Sequence, residues 1–82
     1  MSYQEQEISK ESLEKHLSVL DSDEGIRIEN SQGLIFINKT SKRYCLDISE
    51  GDRDEFIYLI STNEVLSFLS GKMDPSSRIF SY

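Results

Sequence analysis

The stretch Phe56-Ile57-Tyr58-Leu59-Ile60-Ser61-Thr62-Asn63-Glu64 decides how this chain folds. Its first five residues are a short apolar run rich in aromatic and β-branched side chains, the composition of a strand. Ser61 and Glu64, three positions apart, have the spacing of a capping box, in which each side chain accepts a hydrogen bond from the other's backbone N–H. Ile60 and Val65 take the positions of a hydrophobic staple, and the helix so begun ends at Gly71. The alternative is one helix over 52–71, capped by Asp52 with Glu55 at N3. Its apolar positions scatter around the wheel and form no stripe, so strand-then-helix is preferred and an α-βββ-α arrangement is the alternative.

Working back toward the N-terminus, Tyr44, Leu46 and Ile48 alternate with Arg43, Cys45 and Asp47, the period of a half-buried strand. Leu34 to Ile37 is apolar at every position, which suits a central strand covered on both sides or one whose second face is a contact surface. Ile26 and Ile28 alternate with Arg27 and Glu29, and Asn30-Ser31-Gln32-Gly33 and 38–42 have turn chemistry. Before them Leu13, His16, Leu17 and Leu20 follow helical spacing, with Ser9 as cap and Ile8 with Leu13 as a staple. That helix stops before Asp21-Ser22-Asp23-Glu24-Gly25, whose acids lie at the unfavourable end of its dipole.

The expected fold is α+β: an N-terminal helix, an antiparallel β-meander of three or four strands, then a C-terminal helix and a short tail. Residues 1–8 are expected as a flexible N-terminus, 9–73 as a single domain and 74–82 as a tail. The aromatics of that tail, Phe80 and Tyr82, are expected to dock on the core, with an added edge strand or a binding role as the alternatives. A chain of 82 residues supports one core and no more.

The net charge of −6 argues against direct binding of nucleic acid, whose phosphates demand a basic footprint, and against anionic membranes. It favours steering toward a protein partner with a basic surface. The single cysteine, Cys45, has no internal partner and the first ten residues hold no apolar signal core, so a reducing cytoplasm is expected.

Catalytic machinery is sparse. The four glycines fall at element boundaries, so neither a phosphate-cradling loop nor a dinucleotide fingerprint occurs. The only imidazole, His16, sits on an apolar helical face, and Cys45 has only Arg43 nearby to lower its pKa. One His and one Cys are too few for zinc. The loop from Asp21 places glycine fifth and Gln32 twelfth, where a calcium loop needs glycine sixth and glutamate twelfth. Paired carboxylates of a glycosidase would need a deep cleft for which this core has little room. No enzyme activity, cofactor or metal is expected, and Phe80-Ser81-Tyr82 is not the diglycine end of a ubiquitin-like modifier.

Two surfaces remain as candidates. If the strands pair in order, Glu29, Glu50, Asp52, Asp54 and Glu55 gather at one end of the sheet opposite Arg53 alone, a negative pole for a basic partner. With Ile26, Ile28, Tyr44, Leu46 and Ile48 turned to the core, the other face carries Ile35 and Ile37 (or Leu34 and Phe36), Cys45, Ile57 and Leu59. Either the two helices cover opposite faces and bury both, or this second face is an apolar interface. The expected function is a small acidic, non-enzymatic protein-binding module, a regulator or inhibitor of the kind common among phage and mobile-element products. The alternative is a structural adaptor that forms a homodimer through its sheet.

Overall fold

The period-two segments pair into one antiparallel sheet in the computed structural model, which describes residues 5–31 and 33–82. The strands are β1 (Gln6–Ile8), β2 (Gly25–Asn30), β3 (Gly33–Lys39), β4 (Tyr44–Glu50), β5 (Arg53–Leu59) and β6 (Arg78–Ser81). Their order across the sheet is β1-β6-β2-β3-β4-β5. Two short helices, α1 (Leu13–Ser18) and α2 (Thr62–Ser70), complete the chain.

The expected order of N-terminal helix, short meander, helix and tail is corrected by this sheet. The first described element is a strand, since Gln6–Ile8 pair with the chain's end: Gln6 with Ser81, Glu7 with Phe80 and Ile8 with Ile79. Residues 1–4 of the expected flexible N-terminus, and Gln32 of the expected turn, lie outside the described residues. Residues 78–81, expected as a docked tail, form β6 inside the sheet, between β1 and β2. Ser9 accepts a hydrogen bond from the Ser12 amide at 3.2 Å, but the helix itself starts only at Leu13. Residues 9–12 instead form tighter turns, with the Ser12 amide bonded to the Ser9 carbonyl at 3.2 Å and the Leu13 amide to the Lys10 carbonyl at 3.3 Å.

The four central strands β2 to β5 run as a meander, each antiparallel to the next. Residues 53–59 are strand, which removes the single-helix alternative. Ser61 and Glu64 form the capping box: Ser61 Oγ accepts from the Glu64 amide at 3.1 Å, and Glu64 Oε1 accepts from the Ser61 amide at 3.2 Å. Ile60 is 75% exposed, so the expected staple to Val65 is absent. Gly51 closes the β4–β5 hairpin with φ of 60°, the backbone conformation that a two-residue turn with glycine first requires.

Successive antiparallel pairings make β5 and β6 run the same way, and β1 and β2 likewise. Consecutive strands that run the same way need crossovers, and α2 and α1 supply them. Both crossovers lie on one face. Leu13, Leu17, Val65 and Leu69 from the helices share one core with Ile26, Ile28, Ile35, Ile37, Leu46, Ile48 and Ile79 from the sheet. Each such side chain, fully buried, contributes about 1.5–3 kcal/mol. Tyr44 ties the layer together, donating to the Leu17 carbonyl at 2.8 Å and meeting Thr62 Oγ1 at 2.9 Å. Among the described residues no helix is long and apolar enough to cross a membrane.

Candidate interaction face of the sheet

With both helices on one side, the parity of each strand decides what the opposite side displays. Cross-strand partners lie on the same face. The central row of the helix-free face therefore reads Glu7, Phe80, Arg27, Phe36, Asp47, Phe56 from β1 to β5. Beside it runs a second row, Arg78, Glu29, Leu34, Ser49, Asp54. On its other side Gly25, Asn38, Cys45 and Tyr58 align, and the Tyr82 ring covers Gly25. A Cβ on Gly25 would lie 2.6 Å from that ring, so a larger residue there would make the ring move aside.

The expected sheet-face residues are corrected here. Ile35 and Ile37 are 1% and 0% exposed and point into the helix-covered core. Ile57 pairs with Leu46 and Leu59 with Tyr44, so both also face the core, and Cys45 alone of the five lies on the helix-free face. Leu34 and Phe36 are the outward pair. Branched aliphatic side chains and Tyr44 fill the layer under the helices, while Phe36, Phe56, Tyr58 and Phe80 lie on the other face, where the rings of Phe80 and Tyr58 receive guanidinium groups. Arg27 lies 4.4 Å and Arg78 5.1 Å from the Phe80 centroid, and Arg43 lies 4.5 Å from that of Tyr58. Each such contact at an exposed site contributes about 0.5–1 kcal/mol.

Ion pairs frame the aromatic row. Arg27 donates from Nε and Nη2 to Glu5, both at 2.8 Å, and from Nη1 to Glu29. Those hydrogen bonds raise the Arg27 pKa above its ordinary value, the Glu5 bond first and the Glu29 bond second. Arg78 holds Glu7 in the same two-pronged way, at 3.1 and 3.0 Å. Hydrogen bonding to these arginines keeps both Glu5 and Glu7 below the usual carboxylate range. Asp47, between Phe36 and Phe56, is different: its Oδ1 is buried and no described donor reaches it. Phe56 and Tyr58 beside it are 65% and 55% exposed. At the opposite corner Glu5, Asp23, Phe36 and Tyr82 line an open hollow of about 570 Å³.

The expected acidic pole is only partly assembled. Glu50, Asp52, Asp54 and Glu55 do line one open hollow of about 600 Å³, but Lys72 joins Arg53 there and stands 3.7 Å from Glu50. Ser49 donates to Asp54 at 2.9 Å. Glu29 is three strands away from Asp54, roughly 14 Å at ordinary strand spacing, and is bonded to Arg27. Among the described residues no three His, Cys, Asp or Glu side chains are grouped to hold a metal ion. His16 is half-buried and donates from Nδ1 to the Ser12 carbonyl at 2.9 Å. It borders a cleft of about 220 Å³, below the roughly 300 Å³ at which small-molecule sites begin.

Aromatic parity is the signal that locates this face in sequence. Phe36, Phe56, Tyr58 and Phe80 each alternate with an aliphatic neighbour, so aromatic and aliphatic residues mark opposite faces of strands that look uniformly apolar. No protein-family model, curated protein or solved structure matches the chain.

Proposed function

We propose that the chain is a non-enzymatic protein-binding module whose recognition surface is the helix-free face of the sheet. One observation carries this reading: both helices cover one face, leaving the rings of Phe36, Phe56 and Tyr58 on the other, the last two more than half exposed. Contiguous aromatic surface set with arginines and rimmed by charge is the composition of interface cores.

The acidic end supports recognition less well. Glu29 is held by Arg27, Glu50 stands near Lys72 and Asp54 takes a hydrogen bond from Ser49, so fewer free carboxylates remain there than the net charge suggests. The charge of −6 then acts mainly in long-range steering and solubility. A half-buried free thiol, Cys45, on the same face fits a reducing compartment such as the cytoplasm.

The test compares the wild-type chain with a Phe56→Ser/Tyr58→Ser variant of unchanged circular dichroism. Whatever protein the wild type binds, itself included, should bind the variant at least about tenfold more weakly, since exposed aromatic anchors dominate such interfaces. Equal binding by both overturns the proposal.

A further inference from the structure

We infer that the occupant of the helix-free face is a second copy of the chain, related by a two-fold axis running along β3. This deepens the protein-binding reading and rests on it. The central row, from β6 to β5, reads aromatic, positive, aromatic, negative, aromatic: Phe80, Arg27, Phe36, Asp47, Phe56. Its aromatic rings repeat about Phe36, and its two charges are opposite in sign. A two-fold axis along β3 keeps positions along the strands and exchanges the two sides of the sheet. Phe36 then meets its own copy, Phe80 meets Phe56, and Arg27 of each copy lies over the Asp47 carboxylate of the other. Three of the five Arg27 N–H groups are used internally, which leaves two for this contact.

The neighbouring rows obey the same rule independently. In the row Arg78, Glu29, Leu34, Ser49, Asp54, the axis sets Arg78 over Asp54, Glu29 over the Ser49 hydroxyl and Leu34 over itself. On the other side Tyr58 faces Tyr82 and enters the hollow between Phe36 and Tyr82. Arg43, which lies on Tyr58, arrives at the Asp23 rim of that hollow. No like charges oppose each other in any row. A two-fold axis laid instead across the strands through the central row would set Arg27 against Arg27 and Asp47 against Asp47.

Such a pair is a sheet-on-sheet sandwich, with the central strands in register and the corners drawn apart by twist. Five overlapping strands at ~4.8 Å spacing and about 20 Å of strand length give on the order of 500 Å² of face per copy in projection. Side-chain relief brings the pair to about 1,000–1,200 Å² in total, the lower end of specific interfaces. A reversible dimer is the expected product.

The test is a charge swap read by sedimentation equilibrium near 0.15 M salt, with circular dichroism as fold control. Wild type should dimerise, and Arg27→Asp alone and Asp47→Arg alone should each weaken the dimer at least about tenfold, because each sets like charges opposite at both contacts. An equimolar mixture of the two variants should recover a dimer containing one of each, since both contacts are then opposite in sign. Arg27→Asp also removes bonds to Glu5 and Glu29. If it fails to fold, Arg78→Asp with Asp54→Arg gives the same design at the second row. Wild type that stays monomeric to ~1 mM while binding another protein through Phe56 and Tyr58 overturns the second copy and leaves the face's role standing. Failure of the mixture to recover a dimer overturns the axis. A dimer indifferent to every outer-face change overturns both the inference and the protein-binding face.

Discussion

The two faces of the sheet are built from the same strands, one residue out of step, and share almost no chemistry. The covered face holds Ile26, Ile28, Ile35, Ile37, Leu46 and Ile48, each at most 1% exposed under α1 and α2. The uncovered face alternates aromatic rings with arginines and carboxylates, and Phe56 and Tyr58 on it remain more than half exposed. On the proposed reading, stability and recognition belong to opposite parities of one set of strands. A substitution should affect one property or the other according to parity alone.

The sharpest break in that division comes from Ile37→Ala, which removes a fully buried side chain from the centre of the covered face. It should destabilise the fold by about 2–5 kcal/mol in urea denaturation, the range of large-to-small core changes. Ser61→Ala takes away the cap of α2, which packs on the same face, and should cost about 1 kcal/mol by the same measurement. Phe56→Ser, on the opposite parity, should change monomer stability by less than about 0.5 kcal/mol and act almost wholly on association. A loss as large as that of Ile37→Ala would show that the two faces are not separable.

Acid probes the contacts at the edges of the division. Hydrogen bonds from Ser76, then Ser31, hold the Asp74 carboxyl near a pKa of about 2, below the 3.8 of an unperturbed group. Glu5 and Glu7 are lowered from 4.5 by Arg27 and Arg78. A carboxylate with a depressed folded pKa stabilises the fold fully above its unfolded pKa, and that contribution disappears as pH falls through the folded value. Thermal midpoints should therefore decline between about pH 4.5 and pH 2, and Asp74→Asn should flatten the lower part of the decline. These groups are exposed, so the effect should be the smallest of the series.

Period-two patterning made the meander legible, because Ile26 and Ile28, and Tyr44, Leu46 and Ile48, alternate with polar residues. Ser61 and Glu64 marked the start of α2 because a capping box is local. What stayed hidden was non-local or ambiguous in parity. Gln6-Glu7-Ile8 carries no strand signal of its own, and it becomes β1 only because Arg78–Ser81 lies beside it some seventy residues later. Leu34 to Ile37 and Phe56 to Leu59 are apolar at both parities, so simple hydrophobicity leaves the outward side open and points to Ile35, Ile37, Ile57 and Leu59 as readily as to Leu34, Phe36, Phe56 and Tyr58. Of the interface residues expected from sequence, Cys45 lies on the helix-free face. The acidic residues keep their end of the sheet, except that Glu29 belongs to the ion-pair frame of Arg27 and Lys72 enters from beyond α2.

Cys45 offers the most direct measurement of whether the helix-free face is covered by a second copy. It is half-buried on that face, and its strand partner there is the exposed Tyr58. The rate constant for its alkylation by a small maleimide, followed from micromolar to millimolar protein, should fall several-fold as the face is covered. In Asp47→Arg it should stay constant across that range. A wild-type rate constant independent of concentration would contradict the account.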